Sequence, residues 1–173
     1  LVEALQQIGG EISYENEQGY PPIQIVGKQP QSNKVSLQAN VSSQYISALM
    51  LIAPSLPNGL EISLLGKVTS VPYINMTLSL LSDAGIDGKY DHNVITIPAQ
   101  REVVSKSLVV ESDWSSASYF YSIVALSKNA EVTIGSYKKE SYQGDAKLSE
   151  IYKNLGVVTV FNQNENTVTL TNM

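Results

Sequence analysis

Asn40-Val41-Ser42-Ser43-Gln44-Tyr45-Ile46-Ser47-Ala48-Leu49-Met50-Leu51-Ile52-Ala53-Pro54 is the stretch that decides how this chain folds. From Tyr45 to Ala53 the only polar side chain is Ser47. A helix that is apolar on nearly every face belongs inside a core rather than on a surface. Its first turn nevertheless carries two adjacent hydroxyls and an amide. Ser42 or Ser43 is placed to cap the helix, and Gln44 falls within the first turn. The backbone N–H groups of that turn lack intrahelical acceptors, and the positive end of the helix dipole points the same way. Such an end suits an anion, phosphate above all. Taken alone, a Ser-Ser pair here is an ordinary cap. The rest of the chain bears on which reading holds.

Working outward, Lys34 to Ala39 reads as a strand before this helix. Pro57-Asn58-Gly59 is a turn after it, and Leu60, Ile62 and Leu64 alternate as a half-buried strand. A second helix is predicted from about Pro72 to Ala84, with Pro72 in the first turn where its missing N–H costs nothing. Strands near Ile86 to Tyr90 and Val94 to Pro98 follow, joined by Asp91-His92-Asn93. The pattern then repeats. A strand is expected at Ser107 to Glu111, and Asp113-Trp114-Ser115-Ser116-Ala117-Ser118 opens another almost wholly apolar helix. A strand at Glu131 to Gly135 and an amphipathic helix from about Asp145 to Leu155 come next. Strands at Val157 to Phe161 and Thr167 to Thr171 close the copy. Before the first copy, a helix bearing Leu1, Leu5 and Ile8 and strands at Glu11 to Glu15 and Ile23 to Gly27 read as the tail of another. The order is βαβαββ twice, preceded by αββ. Gly9, Gly85 and Gly156, which end the tail helices, recur about every 70–76 residues, longer than common solenoid periods. Alternation of this kind favours α/β units with helices packed on a sheet. Several units must share their buried helices, because no single copy covers one.

Of the 173 residues, 43% are hydrophobic and only 16% charged. That charge content is low for a globular chain, and points to extensive burial or to a piece of something larger. The net charge of −5 argues against nucleic acid as a partner. Without cysteine there is neither a disulfide framework nor thiol chemistry, which fits a reducing compartment. No apolar run reaches membrane-spanning length and no signal peptide is visible. The chain opens on Leu1 in what already reads as mid-helix, so it is expected to begin inside a domain.

Four motifs carry a family resemblance: Val41-Ser42-Ser43-Gln44-Tyr45-Ile46-Ser47-Ala48-Leu49, Ser70-Val71-Pro72-Tyr73-Ile74-Asn75-Met76-Thr77, Asp113-Trp114-Ser115-Ser116-Ala117-Ser118-Tyr119-Phe120 and Gln143-Gly144-Asp145. In order and spacing they resemble the enolpyruvylshikimate-phosphate synthases, the 3-phosphoshikimate 1-carboxyvinyltransferases of aromatic amino-acid biosynthesis. Tyr20-Pro21-Pro22 also fits, whereas Ser112 stands where the family usually has Gly. The resemblance spans essentially the whole chain. It implies an inside-out α/β barrel of repeated βαβαββ units, with buried helices and outer sheets, of which this chain is part. Residues 1–112 would be the last part of one domain, and residues 113–173 the first unit of the second.

The resemblance implies that Ser42 and Ser43 bind the phosphate of shikimate 3-phosphate, and that Gln44 reaches between it and phosphoenolpyruvate. Ser70 and Tyr73 would complete the shikimate pocket. The physical case is independent of the resemblance but narrower. The substrate phosphate is a dianion and the chain has one arginine, Arg101, so hydroxyls and helix N–H groups are the natural local donors. Tyr73 offers a flat ring with a polar tip, which suits a sugar-like ring, or it simply packs on the core. His92 reads as a solvated turn residue without a carboxylate or second His at ligand spacing. Asp113 reads as a helix cap and Gln143-Gly144-Asp145 as a helix opening. Lys138-Lys139-Glu140 reads as a solvated charge run.

The family reaction adds the shikimate hydroxyl to protonated phosphoenolpyruvate and eliminates phosphate through a tetrahedral intermediate. It needs general acid–base groups and several cations. The resemblance places all of those outside residues 1–173, so no catalytic residue, cofactor or metal is expected within this chain. The implied parent is a cytoplasmic, monomeric enzyme with no nucleic-acid or membrane partner, and the piece alone is expected to self-associate. Two other readings are the related UDP-N-acetylglucosamine carboxyvinyltransferase and a non-catalytic βα repeat module. Ser-Ser-Gln followed by Ser-x-Pro-Tyr argues against the former.

Overall fold

The computed structural model describes residues 1–69 and 71–173. They form two compact units, Leu1–Lys106 and Ser107–Met173. The first unit runs α1 (Val2–Gln7), β1 (Glu11–Tyr14), β2 (Ile23–Val26), β3 (Lys34–Gln38), α2 (Ser43–Ile52), β4 (Leu60–Leu65), α3 (Val71–Asp83), β5 (Lys89–Asp91) and β6 (Val94–Ile97). The second runs α4 (Trp114–Leu126), β7 (Glu131–Gly135), α5 (Leu148–Lys153), β8 (Val157–Asn162) and β9 (Thr167–Asn172). The expected α/β repeat is therefore present, with its helices and strands in the predicted order except for the first strand of the second copy. Gly9, Gly85 and Gly156 follow α1, α3 and α5 with φ of +101°, +89° and +80°. These are left-handed values that only glycine adopts without strain, which is why the repeat carries glycine at each helix end.

In the first unit β1 and β2 form an antiparallel ribbon, and the larger sheet has the order β3-β4-β6-β5. β3 and β4 pair in parallel, Val35 opposite Ile62 and Leu37 opposite Leu64. β4 and β6 pair antiparallel, Ile62 opposite Ile95 and Leu60 opposite Ile97. Period-two alternation brings these side chains to one face. There they form a core with Ile46, Leu49, Met50 and Ala53 around α2 and Ile74 and Leu81 of α3. The connection from β3 through α2 to parallel β4 forces α2 to run against both strands. β5 is antiparallel to β6 and hence parallel to β4, so α3 also runs against β4. The two helices are thus parallel, and both start at the carboxyl end of β3 and β4.

Three expectations need correction. First, α2 and α4 are buried on one side rather than all round. Tyr45, Leu51 and Ile52 of α2 are exposed, as are Tyr119, Phe120, Ile123 and Leu126 of α4. Each unit offers one sheet and one neighbouring helix, enough to cover one face of a cylinder. In α4 that face is Trp114, Ala117, Tyr121 and Val124, at helical spacing. Second, Ser107 to Glu111 is not a strand in this structure. The second sheet has only the order β7-β9-β8. Leu108, Val109 and Val110 are exposed, so their alternation finds no ladder to join. Third, the helix expected from Asp145 opens with a 3-10 turn at Gly144–Lys147 and is α-helical only over Leu148–Lys153. Leu148 and Tyr152 pack on the second core, while Ile151 and Leu155 face outward.

Candidate functional site

Ser42 is the N-cap of α2, with extended ψ (130°), and its Oγ accepts the Gln44 N–H at 3.3 Å. Ser42 and Gln44 are exposed and Ser43 is half-buried, so the first turn opens to solvent. The Ser43 N–H, first in the helix, has no intrahelical acceptor. Ser70 lies outside the described residues. Tyr73 lies in the first turn of α3, 48% exposed, which sets aside the reading of a tyrosine buried in the core.

One contact fixes the two helix starts relative to each other. Ser47 Oγ and Thr77 Oγ1 lie 2.9 Å apart across the α2–α3 interface. Thr77, itself buried, also donates to the Tyr73 carbonyl at 2.8 Å. Ser43 is four residues before Ser47, and Tyr73 is four before Thr77. One helical turn of about 5.4 Å separates each from the contact, and residues four apart share a face. Because the helices are parallel, Ser43 and Tyr73 flank the same mouth. Ser42 and Lys67 also belong to that end. The Ala39 N–H donates to the Leu65 carbonyl at 2.8 Å. Ser42 follows Ala39 by three residues, and exposed Lys67 follows Leu65 by two. In the sequence Lys67 is a lone loop lysine, which carries no signal without the topology that places it.

The equivalent mouth in the second unit has the opposite electrostatic character. Asp113 caps α4, and its carboxylate accepts the Ser115 N–H at 2.9 Å, the Ser115 hydroxyl at 2.6 Å and the Ser116 hydroxyl at 3.0 Å. These donors, the Ser115 hydroxyl foremost, hold its pKa below the ordinary carboxylate value. An ionised side chain already satisfies that helix end and repels a second anion. Of the two repeat helices, only α2 presents a neutral, hydroxyl-bearing start.

The family described as EPSP synthase (3-phosphoshikimate 1-carboxyvinyltransferase) matches residues 1–173. The chain belongs to the EPSP synthase family. The 3-phosphoshikimate 1-carboxyvinyltransferase of Bacteroides fragilis is 42% identical over 94% of this chain and 40% of its own length. That of Mannheimia haemolytica is 36% identical over 90% of this chain and 36% of its own length. A solved EPSP synthase from Acinetobacter baumannii is 21% identical, with a TM-score of 0.67 over 99% of this chain and 38% of that one, and shares the fold. The chain thus spans about 40% of the length of the curated relatives it matches.

The remaining family motif, Gln143-Gly144-Asp145, opens the 3-10 turn before α5, and Gln143 does more than start it. Its side-chain amide donates to the Ser112 carbonyl at 2.9 Å and accepts the Trp114 N–H at 2.8 Å. The two peptide groups flanking Asp113 are held by one residue. His92 is solvent-exposed as expected, but a carboxylate is beside it after all, with Nδ1 2.8 Å from Asp91 Oδ2. The two are neighbours in the chain, and His92 takes a left-handed φ of +46° in the turn between β5 and β6. Among the described residues no cluster of three His, Asp or Glu is placed to hold a metal, and no helix is long and apolar enough to cross a membrane.

Proposed function

We propose that this chain is an internal piece of an enzyme that transfers the enolpyruvyl group of phosphoenolpyruvate to shikimate 3-phosphate, and that it supplies part of the shikimate 3-phosphate pocket. The observation that carries the reading is the shared mouth of α2 and α3, with Ser43 and Tyr73 each one turn before the Ser47–Thr77 contact. In this reading Ser42 and Ser43 bind the substrate phosphate through their hydroxyls and the first-turn N–H groups. Gln44 reaches between the two substrates, Ser70 and Tyr73 contact the shikimate ring, and Lys67 adds a cation at the same end. The groups that protonate phosphoenolpyruvate and stabilise the tetrahedral intermediate belong to other parts of the parent, as does the second half of the pocket. A crossover between two domains at residues 112 and 113, a monomeric parent and a cytoplasmic location complete the proposal.

The test is calorimetric titration of the full-length polypeptide with shikimate 3-phosphate. Ser43→Ala and Gln44→Ala are expected to weaken binding about tenfold or more, the scale of one lost hydrogen bond to a charged group. Affinity unchanged in both variants would overturn the assignment.

A further inference from the structure

We infer that Asn93 is a positioning residue for the α2–α3 mouth: its side-chain amide holds the Gly66 peptide so that Lys67 stands at the substrate phosphate. The inference rests on the proposed shikimate 3-phosphate pocket, to which Lys67 adds the cation. β6 pairs with β4 from Val94 opposite Ser63 to Ile97 opposite Leu60, so the β5–β6 turn lies at the carboxyl end of β4. That is the end at which α2 and α3 begin. The Leu64 N–H donates to the Asn93 carbonyl at 2.8 Å, which ties the turn to β4. From there Asn93 Nδ2 donates to the Gly66 carbonyl at 3.2 Å. Gly66 is the residue before Lys67.

A loop lysine is aimed by the peptide that precedes it. Gly66 has a φ of +91°, and a Cβ added there would meet nothing within 4 Å, so neither side-chain sterics nor packing restrains it. On either side the loop is already fixed. The Leu65 carbonyl accepts the Ala39 N–H, and Val68 packs against the first core. The Gly66–Lys67 peptide is the loose joint between those anchors. Among the described residues the Asn93 amide is the hydrogen-bond partner that holds its carbonyl.

Asn93 is itself held. Its Oδ1 accepts the Tyr90 hydroxyl at 3.3 Å, and Tyr90 packs against the core from β5. With Oδ1 so engaged, the amide presents its two N–H donors to the Gly66 side. Asparagine also suits the backbone at this position. Its φ is +63° and that of His92 is +46°, the left-handed pair that a two-residue hairpin turn of type I′ requires. Turn and clamp are thus separate uses of one residue. Glycine would serve the turn equally well and would lack the clamp.

Asn93→Gly in the full-length enzyme therefore tests the clamp alone, with an unchanged urea midpoint as the check on folding. The KM for shikimate 3-phosphate should rise at least about threefold, with kcat and the KM for phosphoenolpyruvate within about twofold of wild type. Lys67→Met should weaken shikimate 3-phosphate binding about tenfold, the scale of one hydrogen bond to a charged group. In that background Asn93→Gly should have no further effect, because no ammonium is left to position. An Asn93→Gly effect of the same size with and without Lys67 would overturn the inference. So would an Asn93→Gly variant that binds like wild type while Lys67→Met binds weakly, which would return Asn93 to the turn alone. Lys67→Met without effect would overturn it as well. Ser43→Ala and Gln44→Ala judge the pocket separately, since they weaken binding there whether or not Lys67 takes part.

Discussion

Ser47 Oγ and Thr77 Oγ1 share a hydrogen bond of 2.9 Å between two parallel helices, and the direction of that bond is fixed by a third atom. Thr77 has one hydroxyl hydrogen and gives it to the Tyr73 carbonyl, so Ser47 is the donor to Thr77. The pair therefore couples the alignment of α2 and α3 to the backbone of the residue whose ring stands at the mouth. Thr77→Val removes both bonds and leaves the Ser47 hydroxyl without its acceptor. A destabilisation of about 1–3 kcal/mol is expected in urea unfolding, with Thr77→Ser close to wild type. Equal stability of the valine and serine variants would show that the bond does not hold the helices.

Tyr73 separates packing from recognition. Its ring is half in solvent and its hydroxyl makes no hydrogen bond among the described residues. Tyr73→Phe should leave unfolding within about 0.5 kcal/mol of wild type, as for a surface change. In the full-length enzyme the same change should cost about 1–2 kcal/mol of shikimate 3-phosphate affinity. Ser70→Ala is expected to weaken binding on the same scale. A Tyr73→Phe variant that loses stability but not affinity would return the residue to a packing role.

How far these features could be read in advance follows from which interactions are local. The cap at Ser42, the cap at Asp113 and the glycine stops after three helices are set by neighbours in sequence, and each was legible. The one-sided burial of α2 was not. Nothing in Tyr45, Leu51 or Ile52 distinguishes an apolar residue that has a partner in this chain from one that lacks it. Ser107–Glu111 failed for a related reason. Its alternation specifies a face, but a strand also needs a ladder, and that depends on residues some two dozen positions away. Motifs point to Ser42, Ser43, Gln44 and Tyr73 as candidate site residues, while their convergence on one mouth follows only from the parallel run of α2 and α3. Lys67 and the clamp by Gln143 were invisible without that geometry.

The cap of α4 should show in the acid limb of stability. Asp113 has a pKa in the folded chain below its unfolded value, mainly through the Ser115 hydroxyl, then the Ser115 N–H and the Ser116 hydroxyl. Its contribution is thus present above the unfolded value, near 3.9, and lost as pH falls through the lower folded value. Asp113→Asn keeps a capping oxygen but does not titrate. Below about pH 4 the wild type should lose stability relative to this variant, measured by urea unfolding at a series of pH values. Parallel pH profiles would mean that the carboxylate is not held as described.

The last expectation concerns the 173-residue chain made by itself. α2 exposes Tyr45, Leu51 and Ile52, and α4 exposes Tyr119, Phe120, Ile123 and Leu126 at 73%, 40%, 54% and 88%. Grouped apolar side chains of this size on a surface promote association. Each unit also has its own core, the first built around Ile46, Leu49 and Ile62 and the second around Trp114, Tyr121 and Leu170, so folding and association should occur together. Sedimentation velocity should show a mass that rises with concentration, and Ile123→Glu with Leu126→Lys should reduce it, since both lie on the exposed side of α4 and touch neither core. A monomer at all concentrations would mean that these faces are too divided to associate. In the same preparation, phosphoenolpyruvate and shikimate 3-phosphate should release no phosphate. Weak binding at the α2 mouth can survive through Ser42, Ser43 and Gln44, but the chain has a single arginine for two anionic substrates. Turnover within about tenfold of a typical enzyme's ~10 per second would show that residues 1–173 hold the acid–base groups assigned elsewhere.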